Sequence, residues 1–217
     1  MTIAQLYQQY RLMPNLQQHQ LRVAGVAAVI VDTLTTPLSD NDRRHVILAC
    51  LLHDMGNIVK FDLLKFPEFV PAGELEYWQE IQKEFVAKYG HNDHDATMKI
   101  IDEIGVELRV YELIDAVGFL KAEENFLSSD LAQKICAYAD MRVAPTGVVL
   151  LQERLDDLEE RYGDKYSLEE DVMKRRQYSQ YLYQIEKQIF EVCKIKPEEI
   201  AEEAIAAKMS DLVSTTV

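Results

Sequence analysis

Apolar residues recur at helical spacing along nearly the whole chain, and no segment alternates apolar and polar positions as a half-buried strand would. Pro14 and Asn15 open a segment predicted to be helical from Leu16 to Leu34. Pro37 and Ser39 close it and start the next, Asp40 to Met55, with Gly56 as a stop. Within it Val46 to Leu52 reads VILACLL, apolar on every side, so this helix should be central rather than superficial. Phe61 to Pro71, with two prolines and several aromatics, reads as irregular. Further helices are expected from Glu74 to Tyr89, stopped by Gly90, and from a cap at Asn92 or Asp93 to Gly105. Another is expected over Glu107 to Lys121, and one from a cap at Ser128 or Ser129 to about Met141, before Pro145. Two long helices, Gly147 to Tyr162 and Ser167 to Cys193, and a last one opened by Pro197 and running to about Leu212 complete the pattern. The fold class is therefore all-α, a multi-helix bundle with long C-terminal helices. Charge is denser after about Leu150, which divides the chain into a core over residues 1–148 and a helical extension over 149–217 packed on it, or leaves one continuous domain.

Composition narrows the function. At 217 residues the chain can bury a core without staples. The 23 Lys and Arg against 37 Asp and Glu give a formal charge of -14, which argues against a protein that rides on long nucleic acid, where a basic patch is the usual footprint. A local basic pocket for a small anion is compatible with it. Cys50, Cys136 and Cys193 are scattered through apolar stretches, as expected of reduced thiols in a cytoplasmic protein. Met1 to Tyr10 has neither the basic nor the apolar region of a signal peptide, and the longest apolar run, Val23 to Val31, is too short to span a bilayer. The expectation is thus a cytoplasmic chain with no membrane partner, whose late helices could support self-association.

Five histidines carry the candidate chemistry. His53 and Asp54 sit side by side at the end of the most apolar helix, where an imidazole and a carboxylate need compensation for burial. His19 shares a helical face with Val23, Val26 and Ile30 and so points inward. Asp140 does the same beside Cys136 and Ala137. Any one of these is commonly a core residue with a local hydrogen bond. Two His and two Asp on three core helices together supply the nitrogens and carboxylates of an open metal site. His45, after Asp42, Arg43 and Arg44, reads as solvated. Asp93 and Asp95 read as acidic residues favoured at a helix start, and Tyr178, Tyr181 and Tyr183 as packing residues.

The order of these residues resembles the HD-domain superfamily of metal-dependent phosphohydrolases. The pieces that carry the resemblance are His19 in HQLRVAGVA, His53-Asp54 in LLHDMGNIVK, His91 and His94 in GHNDHDATMKIIDEIG, and Asp140 in YADMRV, over about residues 15–145. The resemblance implies an all-α fold and metal ligands at His19, His53, Asp54 and Asp140. It also implies hydrolysis of a small phosphate ester or anhydride, a nucleotide being the expected substrate. The metal is divalent, with Mn, Mg, Co, Ni, Zn and Fe not distinguished by the sequence. Many members carry lysine right after the HDxG string; here that place is Asn57 and the nearest lysine is Lys60. Asp54 could orient the attacking water, and Lys60 or Arg142 could meet the phosphoryl oxygens. His91 and His94 are only three residues apart, so they are expected to serve the substrate, or to supply a second metal. Some members with a similar histidine order are di-iron oxygenases, and a non-catalytic nucleotide or metal sensor is the third reading.

Overall fold

The computed structural model describes residues 1–162 and 169–217. Its architecture is helical, with one two-stranded hairpin among the described residues. Helix α1 spans Ile3–Gln9, α2 Pro14–Thr33, α3 Asp40–Leu52, α4 Leu75–Tyr89, α5 Asp93–Ile104 and α6 Leu108–Asp115. Then come α7 Ala122–Leu127, α8 Leu131–Asp140, α9 Leu151–Tyr162, α10 Glu169–Phe190 and α11 Glu202–Leu212. Strands β1 (Val143–Ala144) and β2 (Gly147–Val148) pair antiparallel between α8 and α9.

The centre is the pair α2 and α3. From Val46 to Leu52 every residue of α3 is buried, and α2 is buried almost continuously from Val23 to Val31. A helix apolar all round needs neighbours on every side. Helix α8 packs against both, α6 against α3, and α11 against α2, while α10 covers α7 and α8. Gly25 permits the α11 approach: a Cβ there would stand 2.9 Å from the Ile205 Cβ. The chain ends are joined, since Ile3 donates its N–H to Thr215 O (2.9 Å) and Thr2 bridges to Thr216.

Several elements depart from the sequence pattern. The stretch Glu107 to Lys121 is not one helix: α6 stops at Asp115, Gly118 takes a φ of 148°, and a 3₁₀ turn (Phe119–Lys121) leads into α7. The cap of α8 is Asp130 rather than Ser128 or Ser129, its carboxylate accepting from the Ala132 and Gln133 N–H groups. The segment Gly147 to Val148 is strand, so α9 starts at Leu151. Ser167, the expected start of the following long helix, lies outside the described residues. The last helix is preceded by a 3₁₀ turn at Pro197–Glu199. Helix α1, which apolar spacing does not announce, is set by a capping box: Gln5 N–H donates to Thr2 Oγ1 and Thr2 N–H to Gln5 Oε1.

Candidate metal centre

Three helices bring the four inward polar residues together. His19 lies in the second turn of α2. His53 is the C-cap of α3, with Asp54 next in the turn that follows. Asp140 is the last residue of α8. The turn after Asp54 is fixed from two sides. Met55 is fully buried, and the Gly56 N–H donates to Thr97 Oγ1 on α5 (2.9 Å). A Cβ at Gly56 would stand 2.4 Å from Thr97 N and 2.7 Å from the Ala96 carbonyl carbon, so only glycine lets α5 come this close. That contact sets the start of α5, with Asp93 and His94, beside the 3₁₀ turn Asn57–Lys60.

His19 Nε2 stands 3.1 Å from Asp140 Oδ1 and 3.5 Å from Asp54 Oδ2. His53 Nε2 stands 3.6 Å from Asp54 Oδ2 and 3.5 Å from Asp140 Oδ1. One ligand atom from each of His19, His53 and Asp54 lies within 4.8 Å of the others. Ligand atoms held at about 2.1 Å by one ion stand roughly 3.0–3.4 Å apart, close to these separations. The donor chemistry fits as well. His53 Nδ1–H donates to the Cys50 carbonyl (2.9 Å), so its Nε2 faces the carboxylates, where it is buried and makes no regular hydrogen bond. A backbone carbonyl fixing the second ring nitrogen is the usual arrangement of a metal-ligating histidine. The His53 side chain is 2 % exposed, whereas those of His19, Asp54 and Asp140 are each about a fifth exposed. The cluster is therefore closed at His53 and reaches the surface through His19, Asp54 and Asp140.

Charge is concentrated here. Burial works against the His53 imidazolium, but Asp54 and Asp140 outweigh it and raise its pKa to about 9. Burial likewise works against the Asp140 carboxylate, yet the two imidazoles hold its pKa well below the ordinary range. Without an ion His53 holds its proton beside the two carboxylates. A divalent cation can replace it.

The other expected residues divide. Lys60 sits at the rim: its ammonium donates to Asp93 (2.5 Å) and, though burial opposes it, the charges of Asp54, Asp93 and Asp140 raise its pKa. Asp93 thus does more than start a helix. His94 Nε2 lies 2.9 Å from Asp115 Oδ1, and His91 is exposed at the approach to α5. Arg142 is a correction. It is 1 % exposed and fully engaged, donating to Val149 O (2.5 Å), Tyr138 OH (2.8 Å) and Ile200 O (3.0 Å), so it clamps α8 to later segments and has no free face for a phosphate. His45 is also corrected: it is 4 % exposed, with Nε2 3.0 Å from Glu107 Oε2. Two residues given no role in the sequence analysis touch Asp54: Gln20, which follows His19, and Asn57, noted there only as standing where many family members carry lysine. Asn57 could have been found, because a tight turn places residue i+3 over residue i. Gln20 carries no such signal. A separate cavity of about 240 Å³, lined by Tyr10, Arg11, Glu84, Lys88, Tyr89 and Glu103 among others, shares no residue with this centre, and its cations are already paired with Glu84 and Glu103.

A family model described as HD domain matches residues 16–214 of the chain. Comparison with curated proteins and with solved structures gives no match. No described helix is long and apolar enough to cross a membrane.

Proposed function

Since the chain belongs to the HD domain family, we propose that it is a metal-dependent phosphohydrolase acting on a small phosphate ester or anhydride, a nucleotide in the first instance. The observation that carries the reading is that the imidazoles of His19 and His53 each stand 3.1–3.6 Å from a carboxylate oxygen of Asp54 and of Asp140, with His19, His53 and Asp54 gathered closely enough to hold an ion. These four side chains would hold one divalent ion. When bound, such an ion lowers the pKa of a coordinated water and polarises a phosphoryl oxygen.

The chain's own groups do the rest. Asp54 keeps a carboxylate beside the reacting centre and orients the attacking water. Lys60, at the open rim and within the field of Asp54 and Asp140, meets the phosphoryl oxygens with a positive charge that its pairing with Asp93 holds in place. His94, oriented by Asp115, stands at the same helix start as Asp93 and contacts the substrate. His53, dry and tied to Cys50 O, holds its tautomer through the cycle. A net charge of -14 with Lys60 beside the site suits a small anion better than a polymer.

What favours this reading over a di-iron oxygenase is that, among the described residues, a single group of three or more ligand side chains is gathered closely enough to hold an ion, and it contains neither His91 nor His94. The test is phosphate release from nucleoside mono-, di- and triphosphates and simple phosphoesters, with added Mn²⁺, Mg²⁺, Co²⁺ or Ni²⁺. Release that needs the ion and stops with chelator supports the proposal. Silence over the whole set, with an ion bound, defeats it.

A further inference from the structure

Asp54 is gripped by two buried amides that contact no other proposed ligand. Its backbone N–H donates to Gln20 Oε1 (3.3 Å), and the Asn57 Nδ2–H donates to its Oδ2 (2.5 Å). Both orientations are forced, because the N–H can only donate and the carboxylate can only accept. Gln20 is 0 % exposed and Asn57 7 %. Among the described residues, the remaining halves of both side chains, Gln20 Nε2 and Asn57 Oδ1, are buried without a hydrogen-bond partner. Burying half an amide unpaired is costly, and an apolar residue of similar size would avoid that cost. Packing therefore does not account for either amide. Among the described residues, the hydrogen bond that each side chain makes is to Asp54.

The oxygen that Asn57 holds, Oδ2, is the one facing both imidazoles. Asn57 is itself held, since its N–H donates to Asp54 O (3.1 Å) and Gly56 anchors the same turn to Thr97. We propose that Gln20 and Asn57 are positioning residues for Asp54. Gln20 fixes the main chain and Asn57 the carboxylate, so Oδ2 is aimed at the ion before the ion arrives. Asn57 does this with a neutral donor, and the carboxylate's charge stays available to the metal. An ammonium at the same place would compete for it. This rests on the metal-centre reading above.

The test is calorimetric titration of Mn²⁺ into the chelator-stripped full chain, for wild type, Asn57→Leu, Asn57→Ala and Gln20→Met, with the melting temperature of each metal-free protein measured alongside. Asn57→Ala and Gln20→Met remove the contact without adding bulk, which guards against Asn57→Leu failing to fold. The expected result is Mn²⁺ affinity about 10–100-fold weaker in each folded variant, a loss larger than any fall in metal-free melting temperature accounts for. Wild-type affinity in the variants overturns the inference. So does weaker binding that is accompanied by a matching fall in metal-free stability, the mark of a structural role. A wild type that takes up neither Mn²⁺ nor Co²⁺, Ni²⁺ or Zn²⁺ overturns the metal-centre reading itself, a failure distinguishable from the first two.

Discussion

Raising the pH should tighten metal binding, because the ion must displace the proton that His53 holds beside the two carboxylates. His53 has its pKa raised from 6.5 to about 9: burial opposes the charge, and Asp54 and Asp140 outweigh it. A raised folded-state value stabilises the metal-free fold fully below about pH 6.5, and that stability is lost as the pH climbs through about 9. A gap of about 2.5 pH units corresponds to about 3 kcal/mol at 1.36 kcal/mol per unit. Asp140 runs the other way, its stabilisation being present above its ordinary pKa and lost as the pH falls toward the depressed one. A metal ligand must be unprotonated, so near pH 7 each ion should release close to one proton from His53, and the apparent affinity should rise about tenfold per pH unit. Between pH 7 and 9 that amounts to about 50-fold, because the gain levels off as the pH reaches the raised pKa. The assay is Mn²⁺ calorimetry at pH 6.5, 7.5 and 8.5 in two buffers of different ionisation enthalpy, with melting curves of the stripped protein at pH 6 and 9.5. An affinity flat across that range with no proton released would refute the reasoning, as would a stripped protein more stable at pH 9.5 than at pH 6.

Gly56→Ala should cost about 1–3 kcal/mol in urea unfolding, because the new Cβ meets the backbone of Thr97 and Ala96, which cannot yield as a side chain would. Arg142→Met should destabilise by about 3–5 kcal/mol, since it strips three hydrogen bonds from a buried cluster and leaves the Val149 and Ile200 carbonyls without their donor; a variant as stable as wild type but inactive would return Arg142 to the substrate. His45→Ala should leave metal content unchanged, because its partner is Glu107 and not the centre. His94→Ala should lower turnover about 10–100-fold while the ion stays bound; loss of the ion would make His94 a ligand.

The helices that frame the site were legible because each carries a local stop or start. Asn92 does cap α5, its side chain accepting from Asp95 N–H, and Gly105 does close it at a positive φ. The run VILACLL is buried from end to end, as an all-round apolar helix must be. What stayed hidden depends on partners distant in sequence or on elements too short for a period. Two-residue strands show no alternation, although Gly147, at φ 133°, marks their turn. The break at Gly118 was masked by helix-forming residues on both sides. His45 looked solvated because three charged residues precede it, but α3 is wrapped on every side from that point on. Arg142 is two residues from Asp140, yet its carbonyl partners sit at 149 and 200, and no local pattern points there. The inward direction of His19 and Asp140 could be read from their apolar neighbours. Their mutual approach, and the grip of Gln20 on Asp54, exist only once the helices pack.

The most direct measurement is the metal content of the purified chain by elemental analysis, for wild type, His19→Ala, Asp54→Ala and Asp140→Ala, each checked for helical content by circular dichroism. The account expects one divalent ion per wild-type chain and little or none in any of the three variants, with helicity retained, although the three positions lie far apart in sequence. An Asp54→Ala protein that keeps stoichiometric metal would contradict it.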